Sequence, residues 1–277
     1  MNIFKRLLAS LEARLSQPRL SIWRTLYFNF RTLPFSTAIK LPVFIYGPVR
    51  LFILIGKVKF ENTEIRRGMV KIGVNGDSFS LFDHSGYIQL ASSNSLLIFE
   101  GPCRIALNSK IRVCGGTLRL GRFTRIGSNA KVICNGGNIT IKEFTGVTFE
   151  CVVMNSSFHY TYNEKLGAYQ NRTIDITIGA YNWIGNRSTI YAGAITPDFA
   201  VIGSCSFVNK DFSKLESENK GVLLAGTPAK YITSGIRRVF SPDCENKVYD
   251  LFRNNPSAKY VKSEEFEDNP EHLIIEM

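Results

Sequence analysis

Residues 176–208 read ITIGAYNWIGNRSTIYAGAITPDFAVIGSCSFV, and this stretch repeats with a period of six residues. One position of each hexad is aliphatic with a single exception, in the series Ile178, Ile184, Ile190, Thr196, Ile202 and Val208. The position four residues later is small, in the series Asn182, Ser188, Ala194, Ala200 and Ser206. A short fixed period of this kind indicates a solenoid, in which each repeat packs on its neighbours.

The hexad predicts a triangular prism built from short parallel strands. Each hexad supplies one strand and one corner, so three hexads close a coil of 18 residues. The aliphatic residue points inward and stacks on its equivalents in adjacent coils, about 4.8 Å away. We expect the glycines that follow three of the isoleucines, Gly179, Gly185 and Gly203, to accept the backbone dihedral angles that a corner imposes. The same spacing recurs earlier in the chain, in the series Leu120, Ile126 and Val132 and again in the series Ile141, Val147 and Val153.

The positive charge is concentrated at the N-terminus. Residues 1–60 contain ten Lys or Arg and one acid, Glu12, and so hold +9 of the total net charge of +11. A basic end on a near-neutral body favours contact with an anionic membrane surface over a nucleic-acid groove. Residues 3–15 have the spacing of an amphipathic helix, which fits a membrane surface or docking on the protein itself equally well.

Two further features bear on the cellular setting. The most apolar stretch, residues 41–56, is interrupted by Pro42 and Pro48 and is shorter than the roughly 20 residues of a membrane-spanning helix. The six cysteines follow no C-x-x-C spacing, and the N-terminus lacks the features of a signal peptide. We therefore expect free thiols in a cytoplasmic protein, with peripheral contact on the inner face of the membrane through residues 1–57.

Four segments carry a resemblance to a known family. These are ITIGAYNWIG (176–185), AVIGS (200–204), VNKD (208–211) and AGTPAK (225–230). Together they resemble the hexapeptide-repeat acyltransferases, and more narrowly the sugar and capsular-polysaccharide O-acetyltransferases. The specific likeness covers residues 150–238. One departure is that this chain has Thr196-Pro197 where the family has an aliphatic residue and glycine, so we expect a distorted coil there.

The repeat and the resemblance together predict a mainly β fold, a left-handed parallel β-helix of hexapeptide repeats. A basic, partly helical N-terminal extension is expected over residues 1–57 and the β-helix over residues 58–212. A loop and a short helical C-terminal tail are expected over residues 213–277.

His159 is the candidate general base. It stands in SSFHY (156–160), just before a polar stretch that breaks the hexad phase. Neutral imidazole accepts a hydroxyl proton well near pH 7, and the resemblance places the catalytic base here. An alternative stays open, because His159 follows Ile141 by one 18-residue coil and strict phase points it into the core. The nearby acids that are candidates for orienting the imidazole are Glu150, Glu164 and Asp175.

The remaining site residues rest on the resemblance. Trp183 precedes Ile184, so strand alternation turns it outward, where the resemblance makes it a wall of the acceptor or thioester pocket. Tyr160 and Asn155 are implied as further contacts to the acceptor. The residues implied to line the acetyl-CoA groove are Asn186, Ser204, Asn209, Lys210 and Lys230. Arg237 and Arg238 are added as candidates for binding the nucleotide 3′-phosphate.

The function predicted from the sequence is acetyl transfer from acetyl-CoA to a sugar hydroxyl of a surface polysaccharide or of its lipid-linked or nucleotide-linked precursor. No Ser or Cys lies in a nucleophile motif, so direct transfer is expected, with a backbone N–H stabilising the oxyanion. The resemblance implies a homotrimer that shares its sites between subunits.

Three alternative functions are compatible with a β-helix of this kind or share its fold. N-acetylation of an amino-sugar nucleotide uses the same scaffold, and a non-enzymatic β-helix serves as a binding or assembly module. The γ-class carbonic anhydrases share this fold but bind zinc through three histidines. The three histidines here, His84, His159 and His272, are too widely separated in the sequence for that arrangement, and we expect no metal.

Overall fold

The structure is a computed structural model that describes residues 17–75, 86–215, 221–262 and 268–269. The amphipathic helix predicted over residues 3–15 lies outside the described residues, as do His84 and His272.

Three parallel sheets form the sides of a prism. Sheet 1 contains β1 (Val43–Ile45), β4 (Val70–Val74), β7 (Cys103–Ala106), β10 (Arg125–Ile126), β13 (Gly146–Val147), β18 (Trp183–Ile184), β20 (Ala200–Ile202), β22 (Val222–Gly226) and the antiparallel β23 (Ala229–Ser234). Sheet 2 contains β2 (Arg50–Leu54), β5 (Tyr87–Leu90), β8 (Lys110–Cys114), β11 (Lys131–Asn135), β14 (Val152–Met154), β19 (Thr189–Tyr191) and β21 (Phe207–Val208). Sheet 3 contains β3 (Lys57–Phe60), β6 (Ser95–Phe99), β9 (Gly116–Leu120), β12 (Asn138–Ile141) and β17 (Ile176–Ile178). The left-handed β-helix class predicted from the hexads is confirmed.

The number of residues per coil differs along the prism. On sheet 1, Ile105 pairs with Ile126 and Ile126 with Val147, which gives 21 residues per coil, whereas Ile184 pairs with Ile202 at the predicted 18. The predicted length is therefore wrong for the earlier coils. The extra residues lengthen the strands that flank the corner between sheets 2 and 3, since β8 and β9 have five residues each and β19 has three.

The aliphatic and small positions of the hexads are buried as predicted, whereas the glycines have a role that differs from the predicted one. The aliphatic residues of the series and all five small residues are buried. The left-handed corner conformation falls two residues after each glycine, at Tyr181 (φ 58°) and Arg187 (φ 61°) for the first two. A Cβ at Gly179 would lie 2.4 Å from the carbonyl oxygen of Pro197 in the next coil. The glycine is therefore required by the close approach of two coils, and the expectation that it supplies corner dihedral angles is wrong.

The departure at Thr196-Pro197 is accommodated by a buried polar cluster. The Thr196 hydroxyl donates to Asn182 Oδ1 at 2.8 Å and accepts the backbone N–H of Gly179 at 3.0 Å. Asn182 Nδ2 donates to the carbonyl oxygen of Pro197 at 2.8 Å. Sheet 3 continues through single bridges at Ile195, so the departure shortens the strand while the coil keeps its register.

The N-terminal part contains more regular structure than the partly helical extension expected over residues 1–57. The β-helix begins at Val43, before the predicted boundary at residue 58, because Pro42 and Pro48 flank the first strands and do not interrupt them. Two helices precede it, α1 (Ile22–Thr32) and α2 (Phe35–Ala38). The side chain of Asn29 bonds both the N–H and the carbonyl oxygen of Val43, so α1 closes the open edge of β1.

The C-terminal segment returns along the prism. The helix α3 (Pro242–Asn254) confirms the predicted helical tail, and its N-cap Ser241 accepts the backbone N–H of Cys244. A column of aromatic rings stacks on the corner between sheets 3 and 1, formed by Phe123, Phe144, Tyr181 and Phe199. Phe240 packs edge-on against Tyr181 with 5.7 Å between ring centroids, which fixes the path of the segment before α3.

Candidate functional site

His159 lies on a long loop that leaves the prism after β14 and rejoins it at β17. The loop contains an antiparallel hairpin of β15 (Thr161–Asn163) and β16 (Ala168–Gln170). Ile141 pairs in register with Ile178, so Ile178 fills the core position that strict phase assigned to His159. The histidine is exposed, and the inward-pointing alternative is wrong.

Backbone contacts hold the histidine segment in place. Ser157 Oγ donates to the carbonyl oxygen of His159 at 2.7 Å, and Arg172 Nη1 donates to that of Phe158 at 3.1 Å. The Arg172 guanidinium also stacks over the Tyr160 ring, 4.9 Å from its centroid. The imidazole itself forms no hydrogen bond with any other residue that the structure describes. The imidazole therefore projects from a loop that is fixed by backbone contacts, and it is accessible to a ligand.

The other residues predicted near the histidine differ in accessibility. Tyr160 is 64% exposed and can contact an acceptor. Asn155 is fully buried, with Oδ1 accepting the N–H of Asn135 at 2.9 Å and Nδ2 donating to the carbonyl oxygen of Gly136 at 2.6 Å. The prediction that Asn155 contacts substrate is therefore wrong, because its carboxamide is used to fasten the base of the loop.

Two of the three acids considered for orienting His159 are engaged elsewhere. Glu150 pairs with Arg187 at 2.7 Å. Asp175 accepts both the backbone N–H and the side-chain amide of Asn138, at 2.7 and 2.8 Å. Glu164 lies in the turn of the hairpin, where it is exposed.

Trp183 lies on the outer face of sheet 1, as strand alternation predicts, and is 41% exposed. It lines a pocket of about 570 Å³ between sheet 1 and the segment 237–248. Asn186 lines the same pocket at the corner that follows. Arg237 and Arg238, which the sequence marked only by their charge, line it from the opposite side.

The predicted acetyl-CoA residues fall into three groups, all exposed. Asn186 and Ser204 lie at the corner between sheets 1 and 2, following β18 and β20. Asn209 and Lys210 follow β21 at the corner between sheets 2 and 3. Lys230 lies on β23, at the C-terminal edge of sheet 1. One chain therefore does not gather them into a single groove.

His159 and Trp183 lie at the same level of the prism but on opposite sides. The loop of His159 leaves from the corner between sheets 2 and 3, whereas Trp183 belongs to sheet 1, the side that does not adjoin that corner. The loop rejoins the prism at β17, and β18 with Trp183 is the next strand of the same coil.

Comparison with protein-family models and with curated proteins finds no match. Solved structures do match. The crystal structure of the polySia specific acetyltransferase NeuO superposes with a TM-score of 0.51 at 19% identity, covering 75% of this chain and 94% of NeuO. The chain shares the fold of NeuO. The polysialic acid O-acetyltransferase OatWY superposes more loosely, with a TM-score of 0.36 at 22% identity over 65% of this chain and 90% of its own. A variant of AntD, an N-acyltransferase from Bacillus cereus, in complex with dTDP and Coenzyme A gives a TM-score of 0.41 at 12% identity over 77% of this chain and 89% of its own.

The side chains of this NeuO-like prism restrict the available chemistry. Burial raises the pKa of the Cys134 thiol to about 12, and it raises the pKa of Cys151 as well. The thiolate is the nucleophilic form of cysteine, so neither of these residues can attack a thioester near neutral pH. Within the described ranges no three His, Cys, Asp or Glu side chains are grouped to hold a metal ion. The imidazole of His159, in contrast, is exposed to solvent.

Proposed function

We propose that this chain transfers an acetyl group from acetyl-CoA to a hydroxyl of a sugar, in a surface polysaccharide or in its lipid-linked or nucleotide-linked precursor. The observation that carries the proposal is the arrangement of His159 and Trp183 at one level of the prism, on opposite sides. The fold shared with NeuO, itself an acetyltransferase, supports the same class of reaction.

A closed trimer completes the site. A threefold axis parallel to the prism keeps every residue at its own level while it rotates one subunit onto the next. The corner that carries the His159 loop of one subunit then meets sheet 1 of its neighbour beside Trp183. Lys210 of the first subunit and Ser204 of the second approach the same cleft, which accounts for the division of the predicted acetyl-CoA residues between corners.

The proposed chemistry is direct transfer. Neutral His159 accepts the hydroxyl proton as the sugar oxygen attacks the thioester carbonyl of acetyl-CoA. A backbone N–H at a corner stabilises the resulting oxyanion, and collapse of the tetrahedral intermediate expels the CoA thiolate, which takes the proton from the imidazolium. Holding the two substrates side by side on one cleft supplies a large part of the acceleration.

Release of CoA from acetyl-CoA, measured with a panel of sugar nucleotides and acidic and neutral oligosaccharides, tests the proposal. An O-acetyl ester is removed by mild alkali, whereas an N-acetyl amide resists it. An alkali-labile product supports the proposal. An alkali-stable product alone contradicts it in favour of an amino-sugar N-acetyltransferase, and the absence of CoA release with every acceptor favours a binding scaffold.

We also propose that residues 1–57 bring the enzyme to an anionic membrane surface. Helix α1 buries the polar residues Thr25, Asn29 and Thr32 against the prism, together with Phe28. Apolar residues also cover its outward face, where Trp23 is 82% and Ile22 64% exposed. Residues 17–57 contain six Lys or Arg and no Asp or Glu. An apolar face surrounded by cations matches the chemistry of an anionic bilayer interface. No described helix has the length and apolarity needed to cross a bilayer.

A further inference from the structure

A row of basic side chains runs along the outer face of sheet 1 towards Trp183. The strand register places Arg104 beside Arg125, Arg125 beside Gly146 and Gly146 beside Trp183. The next residue on each strand points into the core, as buried Ile126 shows, so the four positions of the row face outward. Neighbouring positions in such a row are about 4.8 Å apart.

A third guanidinium fills the gap in the row at the glycine. A Cβ on Gly146 would lie 3.4 Å from Nη1 of Arg238, so this side chain packs against the strand from the opposite wall of the pocket. Burial lowers the pKa of Arg238, an effect that Glu245 and Asp268 oppose. The arginine forms no hydrogen bond or ion pair with another residue in the described part of the chain. Its donors are therefore available to a ligand.

The pocket around this row is strongly cationic. Among the described residues that line it, the charged ones are Arg104, Arg125, Arg237, Arg238 and a single acid, Glu245. Arg237 is paired with Asp268 behind the pocket. Like charges that lie opposite one another on neighbouring strands disfavour each other, and a bound anion relieves that repulsion. Arginine is also the side chain best shaped to bind a carboxylate or phosphate through two parallel hydrogen bonds.

We propose that this pocket binds an anionic group of the acceptor. The group is a carboxylate or phosphate of the sugar chain whose hydroxyl is acetylated in the cleft beside Trp183. The inference rests on the proposed acetyl transfer and names the class of its acceptor. The position of the row favours the acceptor over acetyl-CoA. Among the residues implied for the donor, Asn186 follows Trp183 in the same coil and Ser204 and Lys230 lie on later coils, whereas Arg104 and Arg125 lie on coils that precede Trp183.

Binding of anionic probes to the full chain tests the site without any turnover. The variant is Arg104→Gln/Arg125→Gln, and the control is Lys131→Gln, an exposed lysine of β11 on sheet 2 in the same coil as Arg125. The probes are a galacturonate hexamer, UDP-N-acetylglucosamine, the neutral maltohexaose and CoA, titrated calorimetrically at low salt. We expect the wild type to bind at least one anionic sugar about tenfold more tightly than maltohexaose, and the double variant to lose about tenfold of that affinity. CoA affinity and the control should change less than about twofold.

Three results would overturn the site. They are no binding of either anionic sugar to the wild type at millimolar concentration, equal affinity for anionic and neutral sugars, and a double variant that loses CoA affinity while it keeps the anionic sugars. The last result would assign the arginines to the donor phosphates. If thermal melting shows that the double variant is unfolded, the single variants Arg104→Gln and Arg125→Gln replace it in the same titrations.

The two proposals fail in distinguishable ways. A protein that binds the anionic sugars through these arginines but releases no CoA with any acceptor contradicts acetyl transfer alone. A protein that acetylates neutral sugars, with the same kinetic constants in the double variant, contradicts the anion site alone.

Discussion

Ile141 pairs in register with Ile178 on neighbouring strands of sheet 3, and the entire loop that carries His159 lies between them in the chain. The loop is thus an insertion at one corner. The core residues on either side of it stack directly on each other. This relationship separates the stability of the prism from the chemistry of the loop, because removing a loop side chain leaves the core contacts in place.

Replacement of His159 by alanine should abolish most activity and leave the fold intact. Turnover should fall by roughly 10² to 10⁴-fold, the usual contribution of a general base. The melting temperature and the oligomeric state should not change, since the imidazole is exposed. Steady-state CoA release and light scattering provide the measurements, with Lys165→Ala at the hairpin turn as the control. An active His159→Ala enzyme would exclude the proposed mechanism.

Mixing two inactive variants should restore activity if each site is shared between subunits. His159→Ala and Trp183→Ala trimers, unfolded and refolded together, form mixed trimers in which one interface keeps both residues. Random mixing predicts about one quarter of wild-type activity, since three quarters of the trimers are mixed and each has one intact site of three. Each variant refolded alone is the control. No recovery, or a monomer of 31.2 kDa by light scattering, would rule out the shared site.

Substitution of the close-contact glycines should destabilise the prism more than substitution of a glycine in open space. Gly179→Ala places a Cβ 2.4 Å from a backbone oxygen, so two coils must separate, at a cost of roughly 2–4 kcal/mol. Gly235→Ala meets nothing within 4 Å and carries only the strain of its φ of 80°, about 1–2 kcal/mol. Denaturant titration of the two variants measures the difference, and equal losses would show that dihedral strain governs both positions.

The hexad pattern was sufficient to predict the fold, because its period and inward positions are local properties of the sequence. It could not predict the 21-residue coils. In these coils β8 and β9 are both longer than the hexad predicts, and Ile105 still pairs in register with Ile126. No single residue in the sequence signals the longer strands. The alternative that placed His159 inside the core failed because it assumed one coil length throughout the chain, whereas the inserted loop makes Ile178 the residue that pairs with Ile141.

The candidate site was predictable in part. The exposed side chains of His159 and Trp183 follow from the loop insertion and from strand alternation. The arginine row was not found, because Arg104 and Arg125 are neighbours only through strand pairing and belong to ordinary-looking strands. Asn155 was misassigned because a polar residue beside a catalytic loop has the same sequence signature whether it faces a ligand or fastens the backbone.

The buried thiols should resist labelling at pH 8 while the exposed thiol reacts. Burial raises the pKa of Cys103, Cys134 and Cys151, so the reactive thiolate is scarcely populated in the folded protein. Cys205 lies at an exposed corner. Reaction with an aromatic disulfide reagent, followed by absorbance, should show a fast phase that Cys205→Ser removes. Fast labelling of the buried thiols in the native protein would contradict this placement.

Vesicle binding tests the proposed membrane contact of residues 1–57. Two exposed aromatic residues should contribute much of the binding free energy. Trp23 is 82% and Phe35 73% exposed. They lie on helices whose other faces pack against the prism. Transfer of an aromatic side chain from water into the interface contributes on the order of 1.5–3 kcal/mol, so Trp23→Ser/Phe35→Ser should weaken binding at least about tenfold. The attraction of the surrounding cations is screened over roughly 8 Å at physiological salt, and binding should therefore weaken further as salt is added.

The matched control for that variant is Tyr260→Ser, which removes an aromatic side chain that is 79% exposed outside the N-terminal surface. Flotation with vesicles of phosphatidylcholine and phosphatidylglycerol should show binding of the wild type and of the control, and much less of the double variant. Activity on a small acceptor should be equal in all three proteins, because the cleft of His159 and Trp183 is built from later coils. If the double variant dissociates the trimer, the aromatic face is a contact between subunits. In that case, or if the wild type does not float at low salt, the membrane proposal is wrong.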